Sequence, residues 1–380
     1  MTDRAFFAWF AIGHLANDWP IAALWIIIPV AGVSLGLSPA EVGLLFTIFN
    51  IGGALAYIPA GIVSDHVSNQ GRLLVATFGW VVVGYSLAAL AEDVWVLALL
   101  LAIAGMGNAA WHPIAASVLT RRSGGRRAYA LGIHAIGGSA AEIMAPFGAG
   151  LLLSAFDWRS ALAMSAVPAL VMGVCFLVVT RRVPSIEARP IQRQDLRELM
   201  TSWRSASGLE IIAMVCSYNM AQIALLSMIP LYLVETRQVS VASAGLIFSI
   251  LMVSGALAQP WVGSMSDRIG RKPVIAAGST CAGLAATILV LSPSFLVMLT
   301  AMAIAIASLD AIRSVVLAAA VDHAEEHEGK TLGLAFTLMD GVGALGALAA
   351  GVTAGFSWPH MFAMVGALAL VTACLALRTG

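Results

Sequence analysis

The sequence predicts an all-α polytopic membrane protein with twelve transmembrane helices in two pseudo-symmetric six-helix halves. Three observations carry that prediction. The chain is 60% hydrophobic and only 11% charged, with mean hydropathy +0.92, whereas a soluble domain is about 45–50% apolar and about 25% charged. Apolar runs long enough to cross a bilayer, about eighteen residues or more, recur along the whole chain. The two halves also repeat one another at a shift of 202 residues.

Taken in order, the apolar runs place spans at 6–33, 41–64, 72–91, 95–118, 128–153, 158–180, 208–234, 241–264, 273–291, 295–320, 331–354 and 359–377. Most connections are short. The exception, 181–207, is polar and carries six arginines, so it reads as a central loop between a half at 1–180 and a half at 208–380. Basic residues set orientation. With both termini on the cytoplasmic side, all 20 Lys and Arg except Arg159, Arg237 and Arg313 fall inside or in cytoplasmic loops. The first apolar run is too long for a signal peptide and lacks a basic lead, so it is expected to be retained. In the repeat, GLLFTIFNIGGALAYIPAGIVSD (43–65) lies over GLIFSILMVSGALAQPWVGSMSD (245–267), and Asn17 lies over Asn219. Parallel six-span halves put a substrate site near mid-membrane.

Zero net charge argues against nucleic acid as a partner. Cys175, Cys216, Cys281 and Cys374 are scattered singly in apolar runs, which suits packing rather than disulfides or metal. No loop is long enough for a catalytic domain, and no His-Glu-x-x-His or phosphate loop is present, so an enzyme is not expected. The expected partners are a small-molecule substrate, protons and the lipid bilayer. No cofactor is expected beyond a proton gradient as energy source, and the chain is expected to act as a monomer in a bacterial inner membrane.

Two loops carry chemistry. After the second span comes Gly61-IVS-Asp65-HVSNQ-Gly71-Arg72. After the eighth comes Gly263-SMS-Asp267-Arg268-Ile269-Gly270-Arg271-Lys272. Glycines suit a tight turn and close helix contact. An aspartate at a helix end can pair with arginines and hold one conformer closed. These loops resemble the Gly-x-x-x-Asp-Arg-x-Gly-Arg-Lys signature of the major facilitator superfamily, the first copy being longer and having His66 where Arg is usual. HLAND (14–18), GMGNAAWHP (105–113) and SGGRRAYALGIHAIGG (123–138) resemble the fosmidomycin-resistance-type drug:proton antiporters. That family often has Glu after His-Pro, where this chain has Ile114, and Leu101 stands near the usual basic residue of span 4. The resemblance therefore implies that any proton is carried elsewhere, by Glu142 or Asp18. Span 5, Gly132-x8-Ala141-x3-Ala145-Pro146-x2-Ala149-Gly150, looks like a degenerate antiporter motif, and its small residues and proline suit close packing and a kink.

A polar group inside a span is expensive and is a functional-site hypothesis. His14, Asn17 and Asp18 share one face of span 1. His112 precedes Pro113, which bends a helix and frees backbone carbonyls; imidazole there suits proton coupling or anion recognition. His134 and Glu142 lie within span 5, and Asp340 within span 11. Asp310 and Arg313 fall at i, i+3 on span 10, over Asn108 and Trp111 at the 202-residue shift. Arg313 either meets an anionic substrate group or neutralises Asp310. Trp25, Trp80, Trp111 and Trp261 suit anchoring or packing, with Trp111 also a candidate substrate platform. The sum is a proton-coupled, alternating-access exporter of a small organic molecule or drug. The alternatives are an uptake symporter or facilitator of an organic anion, a metal-ion carrier using His14, Asp18, His112 and His134, and a non-transporting receptor.

Overall fold

The computed structural model of the chain describes residues 2–183, 185, 206–291, 294–322 and 328–378. Among them are fourteen α-helices: α1 (Asp3–Leu35), α2 (Pro39–His66), α3 (Gln70–Ala89), α4 (Val94–Arg122), α5 (Arg127–Ala155), α6 (Trp158–Ser165), α7 (Val167–Val179), α8 (Ala206–Leu231), α9 (Val241–Ile269), α10 (Arg271–Leu291), α11 (Phe295–Asp322), α12 (Glu328–Gly341), α13 (Leu345–Phe356) and α14 (Trp358–Arg378). They make 12 membrane-length apolar spans, with α6 and α7 together forming one and α12 and α13 another. A helix satisfies its own backbone polar groups, which is what hydrocarbon demands. Several helices run a few residues past the apolar run, because their ends carry the polar loop residues. Most of the arginine-rich segment 181–207 lies outside the described residues, as do residues 323–327 of the acidic segment.

Helix boundaries follow from capping. Ser38 and Glu41 form a reciprocal capping box at the start of α2, with Ser38 N–H donating to Glu41 Oε2 at 2.8 Å and Glu41 N–H to Ser38 Oγ at 3.4 Å. Asp93 caps α4 by accepting from the backbone of Trp95 and Val96. Asp157 caps α6 in the same way. It lies between spans, and its hydrogen bond from the Ser160 hydroxyl holds its carboxyl below the usual carboxylate range.

Two compact units emerge. The first holds the described residues of Met1–Ala31, Ile48–Ile191 and Ser240–Ser249; the second holds those of Gly32–Thr47, Gln192–Val239 and Ile250–Gly380. In the first unit α3 packs along α4, and an aromatic cluster forms the centre. Trp111, Phe10, Phe78 and Phe176 meet with ring centroids 4.7–6.0 Å apart, which is the range of favourable edge-on and offset contacts. The start of α9 is tied in by Ser249, whose hydroxyl accepts from Phe147 N–H at 3.0 Å. In the second unit α10 packs between α11 and α14, and Thr47 of α2 donates to the Ala344 carbonyl at 2.8 Å. The exposed residues are large and apolar on both units, among them Leu90, Leu257, Trp261, Leu291 and Phe356. That is the surface a lipid-facing protein presents. Of the cysteines only Cys216 is buried; Cys281 and Cys374 are exposed, so those two are surface residues rather than the core residues the sequence suggested.

Candidate functional site

Three helices of the first unit bring their polar residues together. On α1, His14 and Asp18 are one turn apart, with His14 Nε2 at 3.0 Å from Asp18 Oδ2. From α4, His112 Nε2 comes within 3.5 Å of Asp18 Oδ1. From α5, His134 stacks on His14 with ring centroids 4.1 Å apart. The His112 ring stands edge-on to His14 at 5.0 Å. Ligand nitrogens of the three histidines all lie within 4.8 Å of one another. The cluster is nearly enclosed: the Asp18 side chain is 16% exposed and His112, the most open, is 27% exposed.

The backbone sets the histidine orientations. His14 Nδ1 is 2.8 Å from the carbonyl of His134, and His134 Nδ1 is 3.3 Å from the carbonyl of Phe10. A carbonyl only accepts, so each Nδ1 carries the hydrogen. His14 thus faces an acceptor at both ring nitrogens, a carbonyl on one side and a carboxylate on the other. The pair is satisfied only when it holds one further proton, on the imidazole or on the carboxylate. Asn17 supports the site, donating to Asp18 Oδ1 at 2.9 Å. Asn17 and Asn108 also exchange bonds between α1 and α4: Asn17 Nδ2 to the Asn108 carbonyl at 3.2 Å and Asn108 Nδ2 to the Asn17 carbonyl at 2.5 Å. The buried Tyr85 hydroxyl donates to Asn108 Oδ1. Glycine is required at 138, since a Cβ there would stand 2.7 Å from His14 Cε1 and 2.9 Å from its Nε2.

The other predicted residues stand elsewhere. Glu142 is half-buried on α5, two turns beyond His134. Trp111 is fully buried in the aromatic cluster, packed against Phe10, Phe78 and Phe176. In the second unit Asp310 is 5% exposed. It accepts from Gln222 Nε2 at 3.4 Å and lies hard against Gly255 of α9, leaving no room for a side chain there. Arg313 is half-buried one turn on, and Asp340 is half-buried on α12.

At the loop motifs, Arg271 pairs with Asp267 one turn before it and reaches Asp322 Oδ2 at the end of α11 at 3.3 Å. Arg271 also donates to Ser266 Oγ at 2.7 Å. Arg268 and Lys272 are exposed. Gly270 makes the turn with φ +96°. Gly71 abuts Thr180, while Gly61 and Gly263 have ordinary van der Waals room toward Pro113 and Ser314, so close contact explains only one of the four glycines. Arg72 is exposed and its backbone N–H is capped by Asn69; the side chain of Asp65 lies outside the described residues. Sequence reasoning missed two features here. Gln70 is buried and bonds Ser64 and Ser117. Asp3 pairs with Arg122 at 3.2 Å and Arg126 at 3.8 Å, tying the N-terminal end to the loop between α4 and α5, which carries Arg121, Arg122, Arg126 and Arg127.

Comparison with known proteins decides the family. The Major Facilitator Superfamily profile matches residues 10–258 and 225–379. The chain belongs to the major facilitator superfamily. A Haemophilus influenzae protein whose name points to metabolite transport is 26% identical over 281 residues, 69% of this chain and 67% of that one. The multidrug resistance protein MdtG of Citrobacter koseri is 24% identical over 242 residues, 61% of this chain and 58% of its own length. Among solved structures, the nucleoside transporter NupG superposes with TM-score 0.79 over 100% of both chains at 14% identity. A bacterial homologue of the lysosomal transporter Spinster, captured inward-facing and unoccupied, gives 0.73 over 99% of this chain and 95% of that one at 18% identity. These structural likenesses establish the fold. This major facilitator is an integral membrane transporter and not an enzyme. Gly32-Val33-Ser34-Leu35-Gly36 does spell Gly-x-Ser-x-Gly, but a nucleophile elbow is a strand-to-helix turn, whereas these residues end a transmembrane helix.

Proposed function

We infer that this transporter is a proton-coupled exporter of small organic molecules, and that the His14–Asp18 pair carries the coupling proton. The observation that carries this reading is the pair of acceptors on His14, the His134 carbonyl at 2.8 Å and Asp18 at 3.0 Å. Such a pair is complete with one proton more than neutral imidazole and carboxylate supply. Inside a membrane, that proton is the natural currency for alternating access. His112, on the other oxygen of Asp18, gives the proton a second place to go. Export is supported by the likeness to the multidrug resistance protein and by the small residues and Pro146 of span 5. The cycle runs as follows. The inward-open protein releases a proton and takes substrate; on the outside, reprotonation of the cluster expels it. In this reading the chain works as a monomer in the bacterial inner membrane; both termini lie in the cytoplasm, the orientation its arginine distribution supports. In proteoliposomes, an imposed pH gradient should drive outward flux of a transported drug, and Asp18→Asn should uncouple the two. Outward flux indifferent to the gradient in the unmodified protein would refute the reading.

A further inference from the structure

We propose that His14, His112 and His134, with Asp18 beside them, form a binding site for a divalent transition-metal ion of the zinc, cobalt or nickel class. The inference goes beyond proton-coupled export and does not depend on it. The donor set is three imidazoles and one carboxylate, which suits borderline ions and not calcium or magnesium. Three separate helices supply the histidines, so the site is built by tertiary packing and held by rigid elements. Zinc–nitrogen bonds of about 2.0–2.1 Å place tetrahedral ligand atoms about 3.3 Å apart. The three ligand nitrogens, all within 4.8 Å of one another, reach that spacing by moving inward by roughly 1 Å each. Rotation about the side-chain bonds covers such a distance.

The second observation is the outer set of hydrogen bonds. His14 and His134 each give Nδ1–H to a backbone carbonyl, at 2.8 Å and 3.3 Å. A metal-ligating histidine is characteristically fixed this way, its other nitrogen donating to a carbonyl or carboxylate so that the ligating nitrogen keeps its lone pair. Asp18 bridges the Nε2 atoms of His14 and His112, the position a cation would occupy or adjoin. The charged and titratable groups around this space are Asp18 on α1, His112 on α4, His134 on α5 with Glu142 two turns beyond it, Tyr57 on α2 beside His112, and Tyr85 on α3, whose hydroxyl is taken up by Asn108. The Asp18 carboxylate favours a cation.

The test is cobalt(II) titration of the purified full-length chain in detergent, read by visible absorption, with zinc calorimetry in two buffers of different ionisation heat. The sequence also holds His323 and His327, four residues apart, so the titrations are repeated on His323→Ala/His327→Ala. The expected result is one saturable site with the intense visible bands of low-coordinate cobalt, kept in that double variant. Adding His112→Gln should weaken binding by about tenfold or more. His112 is the most open of the three histidines, so this variant should fold; an unchanged melting temperature without metal checks it. Adding His134→Gln should act likewise, while His360→Ala, at an exposed site beside Ser357, should change nothing. Absence of saturable binding, its loss in His323→Ala/His327→Ala, or its survival undiminished in folded His112→Gln would each overturn the proposal.

Discussion

Two corners of the molecule stand at matching sequence positions, 202 residues apart, and carry opposite chemistry. In the first unit, α1, α4 and α5 contribute His14, Asp18, His112 and His134. The matching positions in the second unit are Cys216, Met220, Ser314 and Phe336. The scaffold is shared: Asn17 and Asn219 are both buried, and each donates to a backbone carbonyl of a neighbouring helix. The first reaches α4, whereas the second reaches Met339 of α12 at 2.6 Å. The charged residues of the second corner lie instead at Asp310 and Arg313, where the first has Asn108 and Trp111. Duplication preserved the frame and divided the work. One corner is where we propose a cation sits; the other keeps a buried carboxylate beside Gln222 and a guanidinium one turn away, for which we propose contact with substrate.

The sharpest way to break this division is to neutralise one acid in each corner. Asp18→Asn should abolish gradient-driven flux while leaving exchange of substrate down its own gradient. Asp310→Asn should leave coupling intact and weaken substrate affinity. Both are read in proteoliposomes with and without a pH gradient, and equal loss of coupling in both variants would erase the distinction. Next in size, His14→Ala removes one partner of an enclosed ion pair and should lower thermal stability by about 3 kcal/mol. Its counterpart Cys216→Ala should cost about 1 kcal/mol, as measured by unfolding in detergent. Third, Asn108→Ala removes its side-chain bond to the Asn17 carbonyl and strands the Tyr85 hydroxyl, for about 2 kcal/mol. Asn219→Ala, which loses one bond to Met339, should cost about 1 kcal/mol. Fourth, Gly138→Ala would press a methyl on the His14 ring; about 1–3 kcal/mol of overpacking strain is expected, with coupling impaired more than substrate binding. Smallest of all, Arg271→Ala at the exposed Asp267–Asp322 bridge should change stability by no more than about 1 kcal/mol, and any larger effect should fall on transport rate.

Much of this was legible in the chain. The twelve spans follow from hydropathy, because a bilayer leaves a long apolar segment no choice but a helix. The repeat was visible as glycine, phenylalanine and aspartate in one register. His14 and Asp18 could be paired from helical spacing alone, and the observed 3.0 Å contact agrees. Other features were out of reach. Trp111 reads as a cavity aromatic next to His112, yet adjacent helical residues point about 100° apart, and its own face turns into the phenylalanine cluster. The long sequence separations of His112 and His134 from His14 hide their meeting, which depends on how closely α1 approaches α5 at Gly137, where the Ala11 backbone leaves no room for a Cβ.

The sequence by itself determined the class, the number of spans, the duplicated plan and the list of polar residues that hydrocarbon would not tolerate without a reason. Those are consequences of composition and local periodicity, which need no knowledge of what packs against what. Only the tertiary structure decided which polar residues share a site. The meeting of His14 and His112 on one aspartate, with His134 stacked on His14, depends on helix rotation and on a glycine that lets two backbones close, and neither is written in any single segment.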